Sequence, residues 1–147
     1  HGSPALMAGR IDLPIGRHPV HRKRMSTRSP RGRPALSLWR VQARFQAATL
    51  LKVDLKTGRT HQIRVHCNAI GHPLVGDAVY GGRRARQPLQ IGNSAKIVVP
   101  RQMLHAQRLA FRHPTRQRLV IVKAPLAEDM AEVLHRLGQV NGGESRS

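Results

Sequence analysis

The amino-acid sequence predicts an α+β domain with a mixed, mostly antiparallel sheet and a few packed helices. Three observations lead to this fold class. Segments with strand-like alternation outnumber segments with helical spacing, short turn-like connections join most neighbours, and strands and helices do not alternate as they do in a doubly wound sheet. The chain has 147 residues, enough for a single domain with one core.

Strand structure is clearest between residues 41 and 55, where odd-numbered positions such as Val41, Phe45 and Val53 are apolar and most even-numbered positions are polar. A period of two is typical of a strand with one buried face. Because fifteen residues are long for one strand, we expect two strands that are joined near residues 47–48.

A short helix is expected after a turn at residues 57–59. Thr60 can cap its N-terminus. Apolar residues then repeat at helical spacing at Ile63, Cys67 and Ile70. Gly71 supplies a left-handed residue at the C-terminal end, and Pro73 prevents continuation.

The following part of the chain returns to strand-like patterns. Residues 83–95 carry no pattern and should form an irregular excursion before a strand at 97–99. Two further strands, at 104–111 and 117–123, are expected to pair as a hairpin, because a proline-containing turn separates them.

A last amphipathic helix at residues 130–137 should pack on the sheet and end at Gly138. The sequence therefore predicts a folded body at residues 9–138. Residues 1–8 are expected to be an expression remnant or disordered, and residues 139–147 a disordered tail.

The charge balance indicates a polyanionic partner. The chain has 26 Lys and Arg against 7 Asp and Glu, a formal net charge of +19. RNA is the first candidate, and a membrane is not expected, because no apolar run approaches the about 20 residues that span a bilayer. Residues 16–33, here called the basic arm, are too polar to build a core and are expected to form a loop or an irregular arm. The basic arm is expected either to be a disordered tail or to contact RNA phosphates through Arg17, Arg22, Lys23 and Arg24.

Several other kinds of site are disfavoured by the residues present. Cys67 is the single cysteine, so it forms no internal disulfide, and the start of the chain has no secretory-signal pattern, which together favour a cytoplasmic protein. His61 and His66 are spaced so that a helix places them on different faces, and no zinc-binding motif is present. Cys67 lies on the apolar stripe of its helix and is expected to be an inert core residue.

Four separated motifs carry a family resemblance. Residues 57–66 have the sequence Thr-Gly-Arg-Thr-His-Gln-Ile-Arg-Val-His, and residues 72–81 have His-Pro-Leu-Val-Gly-Asp-Ala-Val-Tyr-Gly. Two further motifs are Pro-Ile-Gly-Arg-His-Pro at residues 14–19 and residues 104–114, which begin Leu-His-Ala and end Phe-Arg-His-Pro. The four motifs occur in the order that one protein family has. Together they strongly resemble the RluA family of RNA pseudouridine synthases, in the C-terminal part of the catalytic domain.

The resemblance implies an enzyme that isomerises uridine to pseudouridine in structured RNA, either rRNA or tRNA, without a cofactor or metal. It also implies that Arg64 pairs with a catalytic aspartate, which the family carries in an upstream H-R-L-D-x-x-T-S-G motif. None of the seven acids in this sequence follows His-Arg-Leu, so this chain alone is predicted to be inactive. Asp77 is expected in a turn, bonded to its own backbone.

Arg59 and His61, beside the predicted helix N-terminus, are candidates for contact with an RNA phosphate or the substrate nucleotide. The alternative function is a non-enzymatic basic RNA-binding module that descends from the same family, for which the positive charge is the only sequence support. Unpaired strand edges also lead us to expect that the chain can form a strand-paired or swapped dimer.

Overall fold

The structure, a computed structural model of the chain, describes residues 1–91 and 95–141, apart from the side chains of residues 86 and 139–141. The predicted α+β class is confirmed, since small antiparallel sheets are combined with a few helices. In chain order the elements are β1 (Ala8–Asp12), β2 (Gly16–Arg17), β3 (Met25–Ser26), β4 (Leu36–Arg44), β5 (Thr49–Leu55), α1 (Gln62–Ala69), α2 (Gly82–Arg86), β6 (Leu89–Ile91), β7 (Ala95–Ile97), β8 (Arg108–Arg112), β9 (Leu119–Lys123) and α3 (Glu128–Asn141).

The largest sheet has three antiparallel strands in the order β1-β4-β5. Two strands with a bend between them are confirmed, and the connection closes where the Phe45 N–H donates to the Ala48 carbonyl at 2.8 Å. β4 begins at Leu36 rather than at residue 41. The apolar alternation does not reveal residues 36–40 of β4, because the fully buried residue Ser37 is polar.

Helix α1 forms where it is expected, but its N-terminus is built differently. His61, with φ 55°, is the N-cap residue, and no side chain caps the helix, so the predicted Thr60 cap is wrong. Instead the Gln62 side-chain oxygen accepts hydrogen bonds from the Arg59 N–H at 2.9 Å and the Thr57 hydroxyl at 2.8 Å. The predicted left-handed glycine at the other end is confirmed at Gly71, with φ +80°.

Short elements occur in both regions for which the sequence predicts irregular chain. In the basic arm, β2 pairs with β3 as a small antiparallel ribbon. Within residues 83–95, α2 and β6 form, and β6 pairs with β7, which ends at Ile97. Elements of two to five residues are too short to show a hydrophobic period. Residues 92–94 of the expected excursion lie outside the described residues.

Strands β8 and β9 pair as the predicted antiparallel hairpin, although β8 begins at Arg108 rather than at residue 104. Leu109 faces Val122 and Phe111 faces Val120, which gives the hairpin one apolar face. Most of this face is exposed, with 61% of Leu109 and 51% of Val122 accessible to solvent. The expected strand-paired or swapped dimer stays a prediction.

Helix α3 starts at Glu128 and continues through Gly138 to Asn141, so the predicted end at Gly138 is wrong. A glycine permits a left-handed helix end but does not impose one. Residues 142–147 of the expected tail lie outside the described residues. Leu137 packs in the main core cluster, which also contains Ala48, Leu89, Ile91 and Ile97. A second cluster of Ile15, Ala35 and Val65 lies under α1.

Residues 1–7 form no helix or strand, but they are held against the main sheet. The Gly2 N–H donates to the Ala47 carbonyl at 2.9 Å, and the Thr49 hydroxyl donates to the Gly2 carbonyl at 2.8 Å. The Arg44 guanidinium donates to the Ser3 hydroxyl and to the Pro4 carbonyl. Within the described part of the chain, no helix has the length and apolar character needed to cross a membrane.

Candidate active site

A buried ion pair joins α1 to the loop that follows it. The Arg64 guanidinium donates from Nε to Asp77 Oδ2 and from Nη2 to Asp77 Oδ1, each at 2.8 Å. The Asp77 side chain is 0% exposed and that of Arg64 is 12% exposed. Two parallel charge-assisted bonds fix both the position and the plane of the guanidinium.

The loop around Asp77 is shaped so that the carboxylate faces α1. Asp77 Oδ1 also accepts the backbone N–H groups of Val79 at 3.1 Å and Tyr80 at 3.0 Å, so the expected bonding of Asp77 to its own backbone is confirmed. The preceding Gly76 has φ +75°, and a Cβ atom there would lie 1.9 Å from the Arg101 carbonyl oxygen. Only glycine fits at this position.

The surroundings of the pair favour its charged form. Burial alone would raise the pKa of the Asp77 carboxyl, but the hydrogen bonds from Arg64 and from the Tyr80 and Val79 backbone outweigh burial and hold this pKa below its ordinary value. The hydrogen bond to Asp77 raises the pKa of Arg64. Both groups are therefore ionised across the whole physiological pH range.

Tyr80 covers the ion pair and ties it to two other segments. The Arg64 Cζ atom lies 4.9 Å from the centre of the Tyr80 ring, within the range of a cation–π contact. The Tyr80 hydroxyl accepts the Met25 N–H at 3.0 Å and lies 2.8 Å from His61 Nδ1. Since the hydroxyl accepts from Met25, its own hydrogen is available to His61. Tyr80 thus connects the basic arm, the start of α1 and Arg64.

The structure brings His61 into this cluster and places Arg59 beside it. His61 is exposed and contacts Tyr80. It is the N-cap residue of α1, the helix that carries Arg64. Arg59 Nε donates to the Pro34 carbonyl at 3.1 Å, so part of its guanidinium is occupied. The proposed RNA contacts of both residues stay predictions.

The four cations proposed in the basic arm lie around one tight turn. Arg17 Nη1 donates to the Arg22 carbonyl at 3.2 Å, and the Arg24 backbone accepts from the His18 N–H at 2.9 Å. Arg22 and Lys23 are exposed. The arm therefore has a defined local structure that exposes positive charge, which is a geometry suited to phosphate contact.

A polar cleft of about 500 Å³ lies between the basic arm and α1. Its wall includes His18, Arg24, Arg28, Asn68 and Tyr80. No carboxylate is found among the described residues that line it. Tyr80 borders this cleft and also contacts Arg64, so a ligand in the cleft would lie against the residue that covers the ion pair.

His66 is a fully buried member of the same helix, and from the sequence it was considered only as a possible metal ligand. The ring lies between the Ser37 hydroxyl, 2.9 Å from Nδ1, and the Leu13 carbonyl, 3.0 Å from Nε2. Since a carbonyl only accepts, Nε2 carries the hydrogen and Nδ1 accepts from Ser37. Burial lowers the pKa of His66 and favours the neutral ring. His66 anchors α1 on the sheet. Its place on the buried side of a short helix is the sequence feature that could have indicated this role.

Other kinds of chemistry find little support in this region. Burial raises the pKa of the Cys67 thiol to about 11, so the thiolate is scarce at neutral pH. Among residues 1–91 and 95–141, no three His, Cys, Asp or Glu side chains are grouped so that they could hold a metal ion. The arrangement instead offers an oriented guanidinium beside a cationic cleft.

Comparisons with known proteins agree on one family. The family model described as RNA pseudouridylate synthase matches residues 3–69. The chain is 47% identical over 129 residues to ribosomal large subunit pseudouridine synthase D of Nitrosomonas europaea, and this match covers 88% of the chain and 36% of that protein. The protein of the same name from Pseudomonas aeruginosa is 46% identical over 133 residues, which cover 89% of the chain and 41% of the relative.

Two solved human structures are also similar. RNA pseudouridylate synthase domain containing 1 gives a TM-score of 0.65 at 28% identity, over 93% of this chain and 62% of that one. RNA pseudouridylate synthase domain containing 4 gives 0.61 at 22% identity, over 90% and 57%, and supports the fold alone. The chain spans about two fifths of the length of the curated relatives that it matches.

Proposed function

Because this chain belongs to the RluA-type RNA pseudouridylate synthases, we propose that it forms the arginine-bearing part of an enzyme that converts uridine in ribosomal RNA to pseudouridine. The observation that carries this proposal is the position of Arg64, which lies in the family motif and is held with a fixed guanidinium plane against Tyr80, a residue that borders a cationic cleft.

The reaction is an isomerisation in which the N–C glycosidic bond of uridine breaks and a C–C bond forms, so no atoms are gained or lost. The family resemblance implies that an aspartate acts on the base. A guanidinium keeps its charge at any relevant pH and offers a planar fork to a carboxylate. Arg64 would therefore hold that aspartate ionised and oriented, which is the role expected from the motif.

The RNA would be held by charge and by the cleft. The net charge of +19 supports attraction of a polyanion, and the basic arm carries the cations Arg17, Arg22, Lys23 and Arg24. Arg59 and His61, at the N-terminal end of α1, would contact an RNA phosphate or the substrate nucleotide. Because the proposed substrate is ribosomal RNA, we expect the protein to work in the cytoplasm.

The enzymatic proposal is tested with a fusion protein, here called the joined protein. Residues 1–147 are fused after the part of the Nitrosomonas europaea relative that precedes its matched region, and pseudouridine in ribosomal RNA is measured by mass spectrometry after chemical labelling. We expect conversion at a defined uridine. A joined protein that is folded and binds RNA but leaves every uridine unchanged would contradict the proposal and favour a non-enzymatic binding module.

An Arg64→Lys change in the joined protein sharpens this test. Lysine keeps the charge but lacks the fork, so we expect kcat to fall by about tenfold or more while RNA affinity is retained. The matched control is Arg40→Lys, at an exposed position of β4, which should leave kcat unchanged. Equal behaviour of the two variants would exclude a special role for Arg64.

The RNA contacts of the basic arm are tested by salt dependence. The double change Arg22→Gln and Lys23→Gln should weaken binding to all RNA sequences alike and reduce the slope of log affinity against log salt by about one unit per lost phosphate contact. The control removes the same charge from the distant β8–β9 connection, through Arg116→Gln and Arg118→Gln. If both doubles reduce the slope equally, the basic arm has no special part in binding.

A further inference from the structure

We propose that Asp77 is the positioning residue of Arg64: it holds the Nε side of the guanidinium and so presents the opposite end, Nη1 with the second hydrogen of Nη2, to the carboxylate that acts on uridine. This inference rests on the proposed function, because the second carboxylate is the aspartate of the complete enzyme. Residues 64 and 77 and the hydrogen bonds between them lie within this chain.

The number of N–H groups on Arg64 allows the guanidinium to bind two carboxylates at once. Arginine has five N–H groups in a rigid plane. Asp77 takes the Nε hydrogen and one Nη2 hydrogen. Within the described part of the chain, Nη1 has no hydrogen-bond partner. The remaining three hydrogens include one on each terminal nitrogen that point the same way, and this pair forms the end-on fork that accepts a carboxylate with two parallel bonds.

The bonding of Asp77 shows that its charge serves Arg64 rather than the turn. The turn needs one acceptor, and Oδ1 meets that need by accepting from Val79 and Tyr80. Oδ2 accepts only from Arg64 Nε among the described residues. An asparagine would satisfy the turn equally well. A buried carboxylate costs free energy of desolvation, and that cost is met only where a cation faces it.

Tyr80 removes the remaining freedom of the guanidinium. The Arg64 Cζ atom lies over the Tyr80 ring, 4.9 Å from the ring centre, and the Tyr80 hydroxyl accepts a hydrogen bond from the Met25 N–H. An unrestrained arginine side chain would have to lose rotamer freedom when it binds a carboxylate. Here that loss occurs on folding, so the end-on fork is preorganised for the reaction.

The inference predicts a specific pH effect. If Asp77→Asn releases Arg64, the acting carboxylate loses its cation, so its pKa rises and the acid limb of the kcat profile moves to higher pH. If Arg64 instead stays in place, removal of the Asp77 charge strengthens the pull of Arg64 and moves the acid limb to lower pH, and Asp77 is then not the residue that positions Arg64. A purely structural role for Asp77 moves neither limb.

The activity test uses the joined protein with Asp77→Asn. We expect kcat to fall by about tenfold or more, KM for RNA to stay within about threefold, and the acid limb to move upward. In an Arg64→Lys background the same change should cost much less, because Asp77 acts through Arg64. The control Asp12→Asn alters an exposed ion pair and should change none of these values. Asp77→Ser, which keeps a turn-forming oxygen, replaces Asp77→Asn if that variant does not fold.

A second readout needs no activity. In the ¹⁵N-labelled 147-residue chain, the Arg64 Nε–Hε resonance should be a single, slowly exchanging signal in the original chain and in Asp12→Asn, and should exchange rapidly in Asp77→Asn. An unchanged resonance, or an unchanged kcat, overturns the inference. An inactive joined protein without substitutions contradicts the proposed function instead, and the resonance then still decides the role of Asp77.

Discussion

Folded proteins usually bury apolar side chains and expose charged ones. The segment from α1 to Tyr80 and the β8–β9 hairpin depart from this pattern in opposite directions. The first buries charged and polar groups, and both Asp77 and His66 are 0% exposed. The second exposes apolar ones, including 61% of Leu109 and 60% of Leu119. Exposed apolar side chains are common on protein surfaces, but a buried ion pair is rare and costs free energy of desolvation unless its charges are paired and hydrogen-bonded. The polar region is therefore where function is expected.

The same comparison indicates where stability resides. The buried polar groups of the first segment each have partners that belong to other elements, as when Gln62 Nε2 donates to Ser37 Oγ and His66 bonds Leu13. The hairpin is held mainly by its own ladder. Substitutions in the two regions should therefore differ strongly in their effect on the free energy of unfolding.

The largest difference is expected from removal of one partner of an ion pair. Asp77→Ala leaves Arg64 with a buried, unpaired charge and removes the acceptor of the turn, which should cost about 3–5 kcal/mol of unfolding free energy. Asp12→Ala breaks the exposed pair with Arg10 and should cost about 0–1 kcal/mol. Urea unfolding of both variants measures the difference. Similar costs would show that the buried pair is not the stronger structural contact.

A matched pair of valines tests packing in the two regions. Val65 on α1 is 4% exposed, and Val65→Ala should cost about 2 kcal/mol, since buried methyl groups are lost and a cavity is left. Val122 on β9 is 51% exposed, and Val122→Ala should cost less than about 0.5 kcal/mol. Thermal or urea unfolding compares them. A large cost at Val122 would mean that the hairpin face is covered in solution, as the expected dimer requires.

The pH dependence of stability gives the smallest effect. Burial holds the pKa of His66 below its ordinary value, so the unfolded chain takes up the proton first as pH falls below about 6.5. The contribution of His66 to stability should therefore decrease from there toward lower pH, by at most about 1.4 kcal/mol per pH unit. Burial also lowers the pKa of His72, so His72 adds to the decrease. Asp77, whose pKa is also lowered, adds a further loss only below about pH 4.

Unfolding measured between pH 7 and pH 5 checks this prediction. His66→Gln should flatten the slope in that range, even if the variant is less stable at every pH. The control His21→Gln changes an exposed ring of the basic arm and leaves His66 in place, so it should keep the original slope. A slope that His66→Gln does not alter would assign the pH dependence to other groups.

The sequence predicted the parts of this site that depend on local pattern. The period of two gave the β4 and β5 strands, and the motif gave Arg64 and the turn that contains Asp77. It did not predict that these two residues pair, because the contact depends on how the loop folds back on α1. Thr60 was predicted as the N-cap of α1 because threonine is a common capping residue. In the structure His61 is the N-cap, and the Gln62 side-chain oxygen accepts a hydrogen bond from the Arg59 N–H.

The central claim is that Asp77 and a second carboxylate share Arg64, and a crystal structure of the joined protein tests it most directly. We predict that Arg64 Nε stays within hydrogen-bond distance of Asp77, while Nη1 and Nη2 lie about 3 Å from the aspartate that the joined part contributes. A structure in which Arg64 leaves Asp77 to reach that aspartate, or in which no carboxylate approaches Nη1, would contradict the account.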